Sequence, residues 1–134
     1  NLTEGHSVSK ESLSKKSQKY MYRVLDLIER HKKENPILSR HIERTFDISG
    51  VNVREIVHYL RVYDKKPVCS DSSGYFYARN KIEASHTIKQ LRSRVKHINE
   101  AATALESAHF PDTQEQMDFG FETKVENYKG YWEE

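Results

Sequence analysis

The most constraining feature of this chain is a pair of short amphipathic segments, residues 39–46 and 51–62, on either side of Asp47-Ile48-Ser49-Gly50. Ser39 is expected to cap the first helix, because its hydroxyl can accept a hydrogen bond from an otherwise unsatisfied backbone N–H. Gly50 is expected to allow the sharp reversal between the two helices. Apolar residues recur in both segments at the spacing of one helix face: Ile42 and Phe46, then Val53, Ile56, Val57 and Leu60.

The second segment also predicts a polar face. Its polar side chains lie wholly or partly off the apolar stripe: Asn52, Arg54, Glu55, His58 and Arg61. Two short helices around a tight turn, the second with a polar face, form a helix-turn-helix. That motif is the centre of the predicted fold.

The residues before the pair predict a tail and a further helix. Residues 1–17 are rich in Ser and Lys with almost no apolar side chains, which is typical of a disordered segment. Apolar residues at helical spacing then predict a helix over residues 18–34, ended by Pro36. Ile37-Leu38 is expected to form a short edge of a small sheet.

A β-hairpin is predicted directly after the pair. Residues 67–70 are short and extended, and residues 75–78 are aromatic-rich and strand-like. Asp71-Ser72-Ser73-Gly74 between them is a turn. The compact domain is therefore expected to span residues 18–80.

A long helix follows the hairpin. Residues 82–107 contain no Pro or Gly, and apolar residues recur at alternating spacings of three and four over about two and a half heptads. Residues 81–109 are therefore predicted to dock on their own domain or to pair two copies as a homodimer. The stripe that would form such an interface is Ile88, Leu91, Val95, Ile98 and Leu105, with Ala102 between the last two.

Composition narrows the function classes. A chain of 134 residues has room for one domain with tails. The single cysteine, Cys69, fits a reducing compartment, and no apolar run is long enough to cross a membrane, so a cytoplasmic protein is expected. No phosphate-binding loop, nucleophile motif or cysteine cluster is present. We therefore expect no enzyme activity, no cofactor and no metal.

Charge is distributed unevenly along the chain. Basic residues exceed acidic ones over residues 1–110, and acidic residues exceed basic ones over residues 111–134. A basic body suits a polyanionic partner, whereas an acidic end suits solvent or a different partner. An unequally solvated surface accounts for the charge equally well.

The order of elements resembles the winged helix-turn-helix superfamily. The resemblance is carried by the run from Ile48 to Arg61, followed by Pro67-Val68-Cys69-Ser70 and Gly74-Tyr75-Phe76-Tyr77-Ala78. It looks like small DNA-binding proteins of bacteriophages and prophages, and it is similar to the N-terminal domain of the biotin ligase repressor. In such proteins the second helix of the pair is called the recognition helix and the β-hairpin after it the wing. A small residue and a Gly-Tyr pair often lie between the two, where this chain has Tyr63-Asp64-Lys65-Lys66-Pro67.

The resemblance implies a mainly α fold, a winged helix-turn-helix with a small β-hairpin and a long C-terminal helix, that binds double-stranded DNA. Arg54 is expected to reach guanine and Asn52 adenine in the major groove, with His58 on a base or phosphate. The remaining residues are expected at phosphates or beside the wing. The full predicted interface is Arg40, Arg44, Ser49, Asn52, Arg54, His58, Arg61, Lys65, Lys66 and Arg79.

The acidic tail, residues 110–134, contains one further motif. The run Gln116-Met117-Asp118-Phe119-Gly120-Phe121 resembles the short peptide by which bacterial replication and repair proteins bind the sliding clamp. Gln116 would hydrogen-bond a pocket rim, while Met117, Phe119 and Phe121 would fill apolar pockets. The alternative is a strap that packs these side chains onto the domain.

Two functions are therefore expected from different classes. The first is sequence-specific binding of duplex DNA in transcriptional regulation or replication initiation of a phage or prophage, inside a bacterial or phage-infected cell. The second is an adaptor that keeps the winged fold and uses its surface against a replication or host protein, such as the sliding clamp.

Overall fold

The computed structural model describes residues 10–111 of the chain. A short 3₁₀ turn, Lys10–Ser12, precedes helix α1, Lys15–Glu29. Helices α2, Ser39–Phe46, and α3, Gly50–Val62, come next. Strands β1, Val68–Asp71, and β2, Gly74–Tyr77, form a hairpin, and helix α4, Lys81–Ser107, completes the described chain.

Helix α1 begins and ends earlier than the predicted range 18–34. Ser14 caps it, since its Oγ accepts a hydrogen bond from the backbone N–H of Ser17, and Ser17 is itself fully buried. The predicted tail, 1–17, therefore overlaps the start of the domain, since Leu13 packs against the core and Ser17 is buried in it. The helix stops well before Pro36, and the Asn35 side chain accepts from the N–H of Lys32 in the turn after the helix.

The α2–α3 connection differs in detail from the prediction. Leu38, not Ser39, is the N-cap of α2, and the Ser39 hydroxyl donates instead to the Glu43 carboxylate at 2.8 Å. The reversal is made at Asp47, whose φ of 56° lies in the left-handed region, whereas Gly50 is the first residue of α3. An aspartate tolerates this region better than most side chains. The predicted roles of Ser39 and Gly50 are therefore wrong.

One apolar core joins the first three helices to the hairpin. Helix α3 contributes four residues that are at most 2% exposed, and Ile48 in the turn anchors the connection beneath them. The other buried members come from α1, α2, the segment after α1 and β1: Met21, Val24, Leu25, Ile28, Ile37, Ile42 and Val68. The apolar periodicity that defined α1, α2 and α3 thus corresponds to buried faces.

The hairpin is antiparallel and tight. Val68 pairs with Tyr77 at one end and Asp71 with Gly74 at the turn, and Ile37 forms an isolated antiparallel bridge to Tyr75 on the outer side of β2. Gly74 has a φ of 132°, and a Cβ there would lie 2.3 Å from the Ile37 carbonyl oxygen. Only glycine allows the bridge and the turn to meet at this point.

Helix α4 docks on the hairpin only near its start. Asn80 caps it, and Ala84 packs against a small cluster of Cys69, Phe76 and Ala78. The Thr87 hydroxyl accepts from the N–H of Ser70 and donates to its carbonyl, at 3.2 and 2.9 Å. Thr87 is the only buried residue of α4, so the remainder of the helix leaves the domain.

The predicted fold class is confirmed: the chain is mainly α, with a small β-hairpin after the helix pair and a long C-terminal helix. Of the two alternatives for α4, docking along its length does not occur within residues 10–111. None of the helices in that range has the length and apolar character required to cross a bilayer.

Candidate nucleic-acid interface

The beginning of α3 is held by a capping box that uses two of the predicted DNA contacts. Ser49 Oγ accepts from the N–H of Asn52 at 3.1 Å, and Asn52 Oδ1 accepts from the N–H of Ser49 at 2.9 Å. The Asn52 amide nitrogen also donates to Ser14 Oγ at 2.9 Å. Asn52 therefore links the starts of α1 and α3, and its predicted pairing with adenine would require these bonds to break.

The solvent-facing surface of α3 is narrower than the sequence predicted. Glu55 turns toward α1, where its carboxylate accepts from the buried Ser17 hydroxyl at 2.7 Å. Arg54 is partly exposed, and His58 and Val62 are exposed, so these residues share one outward stripe with the partly exposed Val51. Two of the predicted recognition residues, Arg54 and His58, thus lie on the same exposed line.

Arg54 lies beside an acidic residue of α2. A Cβ on Gly50 would lie 3.2 Å from Arg54 Nη1 and 3.3 Å from Glu43 Oε2, so both side chains fold over the first turn of α3. The absence of a side chain at Gly50 leaves room for both groups. The Glu43 carboxylate places a negative charge next to the proposed guanine contact, so DNA would compete with it for Arg54.

Arg61 is committed to the fold. Its Nε donates to the Val68 carbonyl at 2.7 Å and its Nη2 to Ser70 Oγ at 3.4 Å, which ties the end of α3 to β1. Burial lowers the pKa of this guanidinium from its ordinary value without discharging it. Arg61 therefore adds positive potential to this face while its donors serve the hairpin.

Tyr75 lies near charged side chains of both signs. Burial raises the pKa of its phenol, the neighbouring Arg61, Arg54 and Arg94 oppose that rise, and Glu43 adds to it. Arg94 belongs to α4 and was not assigned to the interface from sequence. It comes seven residues after the docked Thr87, two helical turns along the same face, and this spacing is the sequence signal that identifies it.

His58 responds to the same environment. Although part of the ring is exposed, its partial desolvation by the neighbouring chain, and then the positive charge of Arg61, lower the pKa of its imidazole from its ordinary value. The neutral ring is therefore favoured in the protein alone, and a phosphate beside it would favour the charged form.

The other predicted cations occupy different positions. Lys65 and Lys66 come after α3: the Lys65 ammonium donates to the Val62 carbonyl at 2.9 Å, and the N–H of Lys66 donates to the Leu60 carbonyl at 2.9 Å. Lys65 has a φ of 55°, in the left-handed region, so it makes the turn between α3 and β1. Arg40 and Arg44 are exposed one turn apart on α2.

Arg79 is tied to two carboxylates at the other end of the hairpin. It contacts Glu34 at 2.9 Å and Glu83 at 2.8 Å. The hydrogen bond with Glu34, and then that with Glu83, raise its pKa. Arg79 therefore holds the start of α4 against the segment after α1, and the candidate interface does not depend on it.

Within residues 10–111, no three His, Cys, Asp or Glu side chains are grouped to hold a metal ion. Gln116, Met117, Phe119 and Phe121, the predicted clamp peptide, lie outside the described residues, so the peptide stays a prediction.

Comparison of the chain with protein-family profiles, with curated proteins and with solved structures finds no match.

Proposed function

We propose that this protein binds duplex DNA by placing α3 in the major groove, with the β1–β2 hairpin beside it. The observation that supports this most directly is that α3 buries one apolar face and carries Arg54 and His58 on the opposite side. Arg61 and Arg94 add positive charge near Tyr75 of the neighbouring hairpin, and Glu43 opposes them there. Cations gathered from separate elements onto one face are the electrostatic requirement for a phosphate backbone.

Shape supports the same proposal. Helix α3 is supported beneath by a fully buried apolar face and carries Arg54 and His58 on its opposite side. A helix supported in this way can enter the major groove, where arginine reads guanine through two parallel hydrogen bonds. Arg40 and Arg44 on α2 supply further positive charge for phosphates, which position a protein without selecting sequence.

The biological process is part of the proposal. Transcriptional regulation or replication initiation in a phage or prophage is suggested by the resemblance of the helix pair and hairpin to small proteins of that kind, and the cell would be a bacterial host.

The direct test is fluorescence anisotropy with mixed-sequence duplexes at low salt, and then selection of a preferred site from random duplexes. Non-specific affinity should fall steeply with added salt, in proportion to the phosphates contacted. At the selected site, Arg54→Ala should cost about 1–3 kcal/mol and relax the preference at one base pair. Lys66→Ala should weaken binding to all sequences alike and reduce the salt slope.

Lys33→Ala is the matched control. Lys33 is an exposed lysine beyond the C-terminal end of α1, whereas α3 begins beside the N-terminal end of that helix. Its loss should leave both affinity and salt slope unchanged. No binding at micromolar protein would contradict the proposal and favour the adaptor function instead.

A further inference from the structure

Beyond Thr87, α4 carries an apolar stripe that no residue in the range 10–111 buries. Val95, Ile98 and Leu105 are 62%, 43% and 65% exposed, and Ile88 is 38% exposed. A single row of large apolar side chains along a helix is typical of a surface that contacts a protein. The complete stripe is Ile88, Leu91, Val95, Ile98, Ala102 and Leu105.

The helix also needs support that its own domain does not give it. Residues 92–107 form the last four turns of α4, and every one of them is exposed. In proteins most of the stability of a helix comes from packing of its apolar face rather than from the intrinsic propensity of its residues. Burial of the stripe against a partner would supply the missing stabilisation.

We propose that a second copy of the same chain covers this stripe, with the two α4 helices antiparallel. In heptad terms Ile88, Val95 and Ala102 occupy one core position, and Leu91, Ile98 and Leu105 the other. Antiparallel helices pack one kind of core position against the other. Val95 then lies against Ile98 of the second copy, Leu91 against Ala102 and Ile88 against Leu105, and each layer occurs twice.

Charge determines the orientation. Residues 88–97 contain Lys89, Arg92, Arg94 and Lys96 and no acidic residue, whereas residues 98–107 contain Glu100 and Glu106 and no basic residue. An antiparallel pair places the basic half of each helix beside the acidic half of the other. A parallel pair places basic beside basic and acidic beside acidic, which is unfavourable.

One specific pair strengthens this argument. Arg92 and Glu106 occupy equivalent positions flanking the stripe, fourteen residues apart. Side chains on a helix lean toward its N-terminus, so in the antiparallel register Arg92 and Glu106 of the second copy lean toward each other. In the parallel register the flanking partners are Thr87 with Arg92, Arg94 with Asn99 and Ala101 with Glu106, none of which are opposite charges.

The position of the domain favours the same register. Ala84 and Thr87 already contact the hairpin at one end of the stripe. A parallel dimer places both domains at the same end of the helix pair. An antiparallel dimer places one domain at each end, beside the last turns of the partner helix. The proposal is independent of DNA binding, because dimerisation is measured on the protein alone.

The first test is sedimentation equilibrium on the full chain without DNA. We expect a monomer–dimer equilibrium, and Val95→Asp with Ile98→Asp should weaken the dimer by at least about a hundredfold, because four carboxylates would be placed in the apolar interface. Ser93→Asp, on the opposite side of the helix, is the matched control and should dimerise like the wild type. A monomer at tens of micromolar, or a dimer unaffected by the double substitution, would overturn the proposal. Circular dichroism establishes that each variant is folded.

The second test measures orientation by cross-linking. Asn99→Cys should form a disulfide between copies only in the antiparallel dimer, where Asn99 faces its equivalent across the two-fold axis. Leu105→Cys should cross-link only in a parallel dimer, where equivalent core positions meet, because the antiparallel register places the two copies of residue 105 at opposite ends of the stripe. The wild type, with buried Cys69, is the control. Rapid cross-linking of Leu105→Cys rather than Asn99→Cys would overturn the antiparallel arrangement.

A charge exchange tests the Arg92–Glu106 pair. Arg92→Glu should weaken the dimer by about fivefold to tenfold, since two attractive surface pairs become repulsive. Adding Glu106→Arg to that variant should restore the wild-type affinity. Failure of the double variant to recover would contradict the register.

Discussion

Helices α3 and α4 have the same kind of sequence and different surroundings. Each carries apolar residues at three- and four-residue spacing, yet the stripe of α3 is at most 2% exposed and that of α4 is mostly solvent-exposed beyond Leu91. The difference lies in the elements that pack around each helix. Helix α3 is placed between α1, α2 and β1, whereas α4 is the last element within residues 10–111 and contacts the hairpin through its first two turns. A periodic apolar stripe thus predicts burial without specifying whether the domain itself or another molecule provides it.

The largest difference between the two helices is expected when one apolar residue is truncated in each stripe. Leu60→Ala in α3 should destabilise the protein by about 2–5 kcal/mol at every protein concentration, because it leaves a cavity in a fully buried site. Val95→Ala in α4 removes a side chain that is 62% exposed, so it should change only the concentration-dependent part of stability. Urea unfolding monitored by circular dichroism over a range of concentrations measures both.

A large loss from Val95→Ala that does not vary with concentration would contradict the comparison. Such a result would mean that a part of the same chain covers the stripe. Under the dimer proposal, the unfolding midpoint of the wild type should rise with protein concentration, and that of Val95→Asp with Ile98→Asp should not.

The two helices also show how far sequence predicted this structure. The apolar faces of α2 and α3, the hairpin and the extent of α4 were predicted because local periodicity and turn residues specify them. The start of α1 was not, because Ser17 resembles a solvent-exposed tail residue until α3 supplies Glu55 as its partner. Such a contact, between residues distant in sequence, leaves no local signal.

The candidate interface also contains residues that local sequence predicted and residues whose roles depend on contacts distant in sequence. Arg54 and His58 were predicted from the polar side of one helix, and both lie on the exposed surface. Arg61 fits the same pattern, yet its guanidinium serves β1, since a charged side chain at that position can reach the Val68 carbonyl. Arg94 was missed because its seven-residue spacing from Thr87 becomes informative only once Thr87 is known to dock on Ser70 of the hairpin.

Thr87 is the point at which α4 leaves the domain, so its substitution tests the hydrogen bonds that hold the start of α4 on the hairpin. Thr87→Val keeps the shape and removes the hydroxyl that bonds both the N–H and the carbonyl of Ser70. We expect a loss of about 1–3 kcal/mol, because these backbone groups lose their partner beside a buried side chain. Thr87→Ser retains the hydroxyl and should recover most of the loss. Urea unfolding gives the free energies, and hydrogen exchange should show faster opening of the first turns of α4 in the valine variant.

An unchanged stability for Thr87→Val would mean that the contact between α4 and the hairpin rests on the apolar packing of Ala84 alone. The direction of α4, and with it the position of Arg94, would then need another cause.

The smallest effect is expected at the ion pairs that hold the start of α4. The hydrogen bond with Arg79 lowers the pKa of Glu34, and the N–H and side chain of Arg79 lower that of Glu83, both from an ordinary value of 4.5. A carboxylate whose pKa is lowered in the folded state stabilises the protein at pH values above its ordinary pKa. That stability is lost as the pH falls through the pKa of the folded state. Wild type should therefore exceed Arg79→Ala in stability near neutral pH, and the difference should shrink below pH 4.5. Because Arg79 and Glu34 are exposed, added salt should shrink it too. Arg44→Ala, at an exposed site on α2, is the control and should show neither dependence.

A difference in stability between wild type and Arg79→Ala that persists at low pH would contradict the role of the ion pairs. Arg79 would then act through packing of its alkyl chain. The start of α4 would be held by apolar contacts, as α3 is along its whole length.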